Sequence, residues 1–237
     1  MDRFTGRVVH PQQWPQDLDL SGQRVVVIGS GSTAATLIPA IAQDAAHVTM
    51  LQRSPSYVFS LPAFDKISEL LGRFLPEQSV YELGRKRNIV IQRGLYKACR
   101  RWPRLMRRFL LSQMRRRVGP GFDMSHFTPK YMPWDERLCA VPDGDLFDVL
   151  ASGEASVVTD EIETYTETGI LLKSGRHLEA DIIVTATGLN LQMLGGMQLS
   201  VEGEARALHD QMIYKGILWR TSRTWRGCSD TPTHRGR

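Results

Sequence analysis

Apolar positions first gather at Gln23–Gly29, where Val25, Val26, Val27 and Ile28 form an unbroken β-branched run that ends in glycine. Such a run, without alternation, predicts a strand buried on both faces, as in a parallel sheet. Gly29-Ser30-Gly31-Ser32-Thr33-Ala34 follows and opens a stretch of small, helix-favouring residues to about Ala42. Pro39 lies inside that helix and is expected to kink it. His47–Gln52 predicts a second strand, completing a strand–helix–strand unit of about thirty residues. From about Ser60 to Met124 the periodicity turns helical, with Ile67, Leu70, Leu71 and Phe74 on one face. Further helices are expected over Tyr81–Leu95 and Leu105–Val118, closed by Gly119-Pro120-Gly121. Val157-Val158 and Ile170–Leu172 predict short strands, the latter followed by a turn at Lys173–Arg176. Ala180–Gly188 predicts another buried strand running into a glycine. The expected fold is α/β: a Rossmann-like domain over about 22–190, carrying a helical insertion at about 60–124.

Composition adds a charge asymmetry. The net charge of +5 conceals thirteen Lys or Arg and no acid between Arg85 and Arg117, while the remaining residues hold 17 basic against 25 acidic side chains. The basic segment interleaves its cations with Ile89, Val90, Ile91, Leu95, Trp102, Leu105, Phe109 and Leu110. Three readings stay open for it: a helical cap with a solvated basic face, peripheral contact with an anionic membrane, or contact with nucleic-acid phosphates. No nucleic-acid recognition motif accompanies the third reading. There is no run of eighteen apolar residues and no apolar stretch behind Met1 of the kind a signal peptide needs. Three widely spaced cysteines, Cys99, Cys139 and Cys228, suit a reducing compartment, so a cytoplasmic location is expected. No metal-ligand cluster is read from the sequence.

The loop after the first strand has the spacing G-x-G-x-x-A. Gly29 permits the tight turn, Gly31 lets the backbone approach a pyrophosphate, and Ala34 lets the helix pack on the strand. Ser30, Ser32 and Thr33 complete the loop, whose helix N-terminus offers free N–H groups to phosphate. The end of the second strand distinguishes the two nicotinamide dinucleotides. An NAD site carries an acid there for the ribose hydroxyls; this chain has Gln52-Arg53-Ser54 instead. The Arg53 guanidinium suits a 2′-phosphate, with Ser54 beside it, so NADPH is the expected ligand.

Phe4-Thr-Gly6-Arg-Val-Val-His10-Pro-Gln-Gln-Trp14-Pro15 resembles the F-x-G-x-x-x-H-x-x-x-W-P fingerprint of the flavin-dependent Baeyer–Villiger monooxygenases. The fingerprint precedes the nucleotide loop, as it does in that family. Phe127–Phe147 is similar to the active-site segment of the ethionamide-activating and acyclic-ketone branch. The resemblance covers roughly Asp2 to Leu218. It implies that Arg137 sits beside flavin and nicotinamide, where an ever-charged guanidinium would stabilise the oxygenating species and the substrate carbonyl. It also implies that Ala186-Thr187-Gly188 is the linker between nucleotide and flavin domains, with His10 and Trp14 near the hinge. The implied activity is oxygen insertion beside a ketone, or oxidation of a sulfur or nitrogen centre such as a thioether, using NADPH, FAD and oxygen. Residues 1–21 would then be fingerprint and linker, and residues 191–218 a partial return into the flavin domain.

Two departures limit what the resemblance implies. The family's FAD-binding G-x-G-x-x-G is expected upstream of residue 1, so the chain reads as the middle of such an enzyme. A separate upstream polypeptide with the flavin lobe would be one partner; an inactive remnant that at most binds NADPH is the alternative reading. Residues 219–237 hold five arginines, no lysine and no aliphatic side chain larger than alanine, and are expected to be disordered. One base lost after the Leu218 codon would let these codons be re-read to include Gly-Tyr-Thr-Asn-Ala-Ser-Trp, similar to what the family places after Lys215-Gly216.

Overall fold

The β-branched run does become the middle of a parallel sheet. In the computed structural model, which describes residues 1, 3–136, 138–201, 204–206, 213–214 and 218–219, the first unit spans Met1–Gly188. It begins with β1 (Arg7–Val9), β2 (Arg24–Ile28), α1 (Ser32–Ala42), β3 (His47–Gln52) and β4 (Tyr57–Leu61). Three helices follow, α2 (Lys66–Gly72), α3 (Glu77–Arg101) and α4 (Pro103–Val118), then β5 (Leu138–Pro142) and α5 (Asp145–Ser152). The unit closes with β6 (Ala155–Thr159), the meander β7 (Ile162–Thr166), β8 (Gly169–Leu172) and β9 (His177–Glu179), and β10 (Ile182–Thr185). The main sheet has the order β1-β10-β2-β3-β6, and every pairing in it is parallel.

Alternation along β2 feeds two cores. Val25 and Val27 join Val48, Met50, Val184 and the α1 residues Ala34, Ile38 and Ile41. Val26 and Ile28 point the other way, into a cluster with Leu51, Ile183 and the β8 residues Ile170 and Leu172. Each such side chain contributes about 1.5–3 kcal/mol on burial. This two-sided burial explains why the run lacks polar positions.

The sequence reading placed the start of the helical region at about Ser60. Here the structure corrects it: Tyr57–Leu61 is a strand, paired in parallel with β5, and the helices lie between these two partners. Tyr57 and Val58 are buried, and β-branched and aromatic residues favour the strand. The periodicity of the following helix begins only at Lys66, whose N-cap Asp65 accepts from the Ser68 amide. α3 is also longer than the expected Tyr81–Leu95. Pro39 stands inside α1 as expected, and Gly119, with φ 87°, ends α4. The fingerprint strand β1 is an edge of the main sheet, so residues 1–21 are built into the first unit.

A second unit begins at Leu189. Its described strands are β11 (Leu199–Val201) paired with β12 (Glu204–Arg206), and β13 (Ile213–Tyr214) paired with β14 (Leu218–Trp219), both antiparallel. The expected disordered tail lies outside the described residues from position 220 onward.

β2 and β10 are latched where they begin. The Asp181 carboxylate accepts from the Arg24 backbone amide at 2.8 Å, from Nε at 3.0 Å and from Nη2 at 2.8 Å. Hydrogen bonds from the Arg24 side chain, then its amide, hold the Asp181 pKa down at about 2. A lowered folded pKa means this stability is present above the unfolded carboxylate value and is lost as pH falls toward 2. Asp181→Asn is therefore expected to lower the urea midpoint at pH 6, with the difference from wild type closing as pH approaches 2. A gap that stays constant between those values would show that ionisation of Asp181 contributes nothing.

Candidate nucleotide site

All main-sheet strands run the same way, so their carboxyl ends share one edge. β1 ends at His10, β2 at the Gly29–Ala34 loop, β3 at Arg53-Ser54 and β10 at Ala186-Thr187-Gly188. From β2 the chain proceeds to β3 and β6 on one side, then crosses back to place β10 on the other. That reversal is the topological switch point at which open α/β sheets bind ligands. The glycine loop lies in it.

The loop's shape follows from its neighbours. Gly29 has φ 130°, and a Cβ there would overlap the carbonyl oxygen of Ala186. Its amide donates to the Leu51 carbonyl at 2.8 Å. Gly29 therefore serves the close approach of the loop to β10 as much as the turn itself. Gly31 differs: it is the N-cap of α1 with φ −78°, and a Cβ on it would meet no heavy atom within 4 Å. Among the described residues beyond its chain neighbours nothing packs on that position, so the loop leaves open space over Gly31. Gly31 has no side chain to cap the helix, and no side-chain cap hydrogen bond is made at this helix start among the described residues. Ala34 is fully buried against β2, as its small size requires.

At the end of β3 the side chains divide by role. Gln52 is buried; its Nε2 donates to the His126 carbonyl at 2.6 Å and to Thr159 Oγ1 at 2.8 Å. The Asp160 amide donates to the Gln52 carbonyl at 2.9 Å. Gln52 thus pins the strand end, and Arg53 and Ser54, one and two residues on, are exposed. Glu161 is held below its ordinary pKa mainly by its hydrogen bond from Lys173, and Arg53 adds a smaller attraction. Sequence reasoning found Arg53 but missed Gln52, His126 and Thr159, which come from three separate segments. The absence of an acid at the strand end was the only local signal.

The fingerprint residues are brought to the same unit. Gly6 passes the backbone of Asp181, whose carbonyl a Cβ would overlap, and the Arg7 amide donates to that carbonyl at 3.2 Å. Phe4 packs on the second core cluster and Trp14 on the first. Pro15 is half-buried, and its carbonyl accepts from the Leu18 amide at 3.4 Å. His10 Nδ1 accepts from the Gln12 amide at 3.2 Å, which leaves Nε2 to donate to the Gly188 carbonyl at 3.0 Å. Those partners fix the orientation of the ring. His10 therefore ties the end of β1 to the expected linker and acts as a brace. Thr187 and Gly188 are exposed at the sheet edge.

Arg137 lies outside the described residues. Beside it, Trp134 adopts φ 73°, a costly conformation for an aromatic residue, and stacks edge-on with Tyr96 at 5.6 Å. Asp135 pairs with Arg100 at 2.6 Å. No group of His, Cys, Asp and Glu among the described residues has the arrangement of a metal site.

A parallel sheet with a glycine loop and a helix start at its switch point defines a Rossmann-like α/β fold. Its family can be stated more closely. The sequence matches the FMO-like family, flavin-binding monooxygenase-like, over residues 1–218, and the chain belongs to that family. It is 71% identical over 220 residues to MymA of Mycobacterium tuberculosis, covering 91% of this chain and 44% of that protein. It is 52% identical over 217 residues to the FAD-containing monooxygenase EthA of the same species, again covering 91% and 44%. The chain thus spans less than half the length of these relatives. Among solved structures, an oxidised steroid monooxygenase bound to NADP has a similar fold, with TM-score 0.60 and 24% identity over 79% of this chain and 43% of that one. A complex of OTEMO with FAD and NADP gives 0.61 at 20% identity, covering 80% and 43%. The family match ends at residue 218, where the sequence reading also placed its departure.

Proposed function

We propose that this chain is the NADPH-binding portion of an FAD-dependent monooxygenase of Baeyer–Villiger type. One observation carries the reading: the vacant space over Gly31, the uncapped start of α1 and the exposed Arg53 share the carboxyl edge of the sheet at its switch point. The residues fit the coenzyme. The Ser32 and Thr33 N–H groups suit the pyrophosphate, and the α1 dipole favours its charge. Arg53 suits the 2′-phosphate through paired, charge-assisted hydrogen bonds. Thr187 and Gly188 close the site from β10, braced by His10.

NADPH, when bound, supplies a hydride, and FAD supplies the capacity to activate oxygen. In this reading the chain's residues orient the nicotinamide coenzyme, and Arg137 stabilises negative charge at the reacting oxygen and the substrate carbonyl. The substrates would be ketones, or thioethers and other soft heteroatoms. Relatives named for FAD and neighbours solved with NADP support the cofactor pair. The flavin diphosphate cradle would come from sequence preceding the fingerprint, in the same polypeptide or in a separate one.

Titration of the purified 237-residue chain with NADPH and NADH tests the proposal. Saturable binding with preference for NADPH is expected. A folded sample without affinity for either would refute it. A yellow flavin spectrum with NADPH-dependent oxygen uptake would mark a working enzyme; coenzyme binding without flavin would mark a nucleotide-binding portion awaiting its flavin lobe.

A further inference from the structure

The helical insertion leaves much of its surface uncovered. α3 runs through 25 residues and buries only Cys99. Its half-buried positions Val80, Gly84, Arg87, Leu95 and Ala98 recur at helical spacing and define the inward side. The opposite side carries Lys86, Ile89, Arg93 and Lys97, all exposed. α4 repeats the arrangement, with Leu110, Met114 and Val118 buried and Leu105, Arg108, Phe109 and Arg116 facing outward. Trp102, at the corner between the helices, is 56% exposed, Leu105 62% and Phe109 49%.

The charges on this surface are largely uncompensated. Of the thirteen cations between Arg85 and Arg117, Arg87 pairs with Asp65, Arg100 with Asp135 and Arg117 with Asp148. The other ten form no ion pair among the described residues. A groove of about 650 Å³ lined by Tyr96, Lys97, Ala98, Arg100, Arg101 and Trp102 continues the same mixture of cation and aromatic. Among the described residues no helix is long and apolar enough to cross a membrane.

We propose that the outward faces of α3 and α4 dock on an anionic lipid bilayer surface, cations among the headgroups and Ile89, Trp102, Leu105 and Phe109 at the acyl boundary. An anionic partner follows from the uncompensated charge. A bilayer accommodates both components: long basic side chains reach the headgroups while their stems and the large apolar residues enter the interface. Nucleic acid would satisfy the cations and leave isoleucine, leucine and phenylalanine unused. A second copy of the same face would bring like charges together. The inference concerns a surface separate from the glycine loop and does not depend on coenzyme binding.

Co-sedimentation of the full 237-residue chain with vesicles of phosphatidylcholine, alone or mixed with phosphatidylglycerol, tests it. Binding to the anionic vesicles at low salt is expected, weakening as salt rises, with little binding to neutral ones. Arg93→Gln/Lys97→Gln is expected to reduce anionic-vesicle affinity by about tenfold or more. Leu105→Ser/Phe109→Ser should also weaken it and should remove any blue shift of tryptophan emission on binding. Circular dichroism of both variants establishes that they fold. Equal pelleting with neutral and anionic vesicles, or no vesicle binding, would overturn the proposal. Salt-sensitive binding confined to a short DNA duplex, or a concentration-dependent dimer that ignores vesicles, would overturn it too.

Discussion

Arg53→Glu is expected to weaken NADPH binding by about 100-fold or more while changing NADH affinity by less than about threefold. The asymmetry comes from the coenzymes, which differ by one phosphate on the adenine-side ribose. A guanidinium meets that phosphate through paired hydrogen bonds, each roughly twice as strong as a neutral one. Glutamate removes them and sets a negative charge against a doubly charged group. NADH has no phosphate there and loses little. The fold should tolerate the change, since Arg53 is exposed and Gln52 alone locks the strand end to His126 and Thr159. Glu161, already drawn to Arg53, becomes a second like charge and should deepen the NADPH defect. Parallel calorimetric titrations with both coenzymes decide the matter. An equal loss for the two would remove Arg53 from the recognition of the phosphate.

The parts of the fold legible in sequence were those where one physical demand dominates a short segment. Val25–Ile28 must be apolar throughout because β2 is covered on both faces, and that alone predicts it. The glycine loop is legible because backbone geometry admits few residues at its positions. The strand Tyr57–Leu61 is not legible locally, and the helical pattern read from about Ser60 overlaps its end, because the strand carries mixed burial and its partner Leu138–Pro142 lies some eighty residues away. No local pattern encodes that pairing. The same holds for the site. Arg53 stands where a motif directs attention, whereas the Gln52 node needs His126 and Thr159 to converge from distant segments. His10 was legible as a fingerprint residue, and its bond to the Gly188 carbonyl, across 178 positions, was not. The long helices were recognised by periodicity, yet periodicity alone did not reveal that Ile67, Leu70 and Phe74 would remain exposed.

Two glycines separated by one residue should fail in opposite ways when changed to alanine. Gly29→Ala is expected to destabilise the apo protein by more than about 2 kcal/mol, because φ 130° is strained for any side chain. The new methyl would also press on the Ala186 carbonyl, and that backbone directly follows β10, the strand that must stay beside β2. Relief requires moving either the loop or β10, so coenzyme binding should fall together with the thermal midpoint. Gly31→Ala carries neither penalty. Its φ of −78° suits alanine, and among the described residues beyond its chain neighbours no heavy atom lies within 4 Å of the added methyl. Its unfolding free energy should fall below wild type by no more than about 1 kcal/mol, since alanine is a poorer N-cap than glycine. If the pyrophosphate rests where Gly31 leaves room, that same methyl stands between ligand and backbone, and NADPH affinity should drop by at least about tenfold. Urea denaturation of the two apo variants, paired with NADPH titration, separates a glycine kept for the protein's own packing from one kept for a ligand. Should Gly31→Ala bind NADPH like wild type, the diphosphate does not lie over this turn, and the coenzyme must be sought elsewhere on the sheet edge.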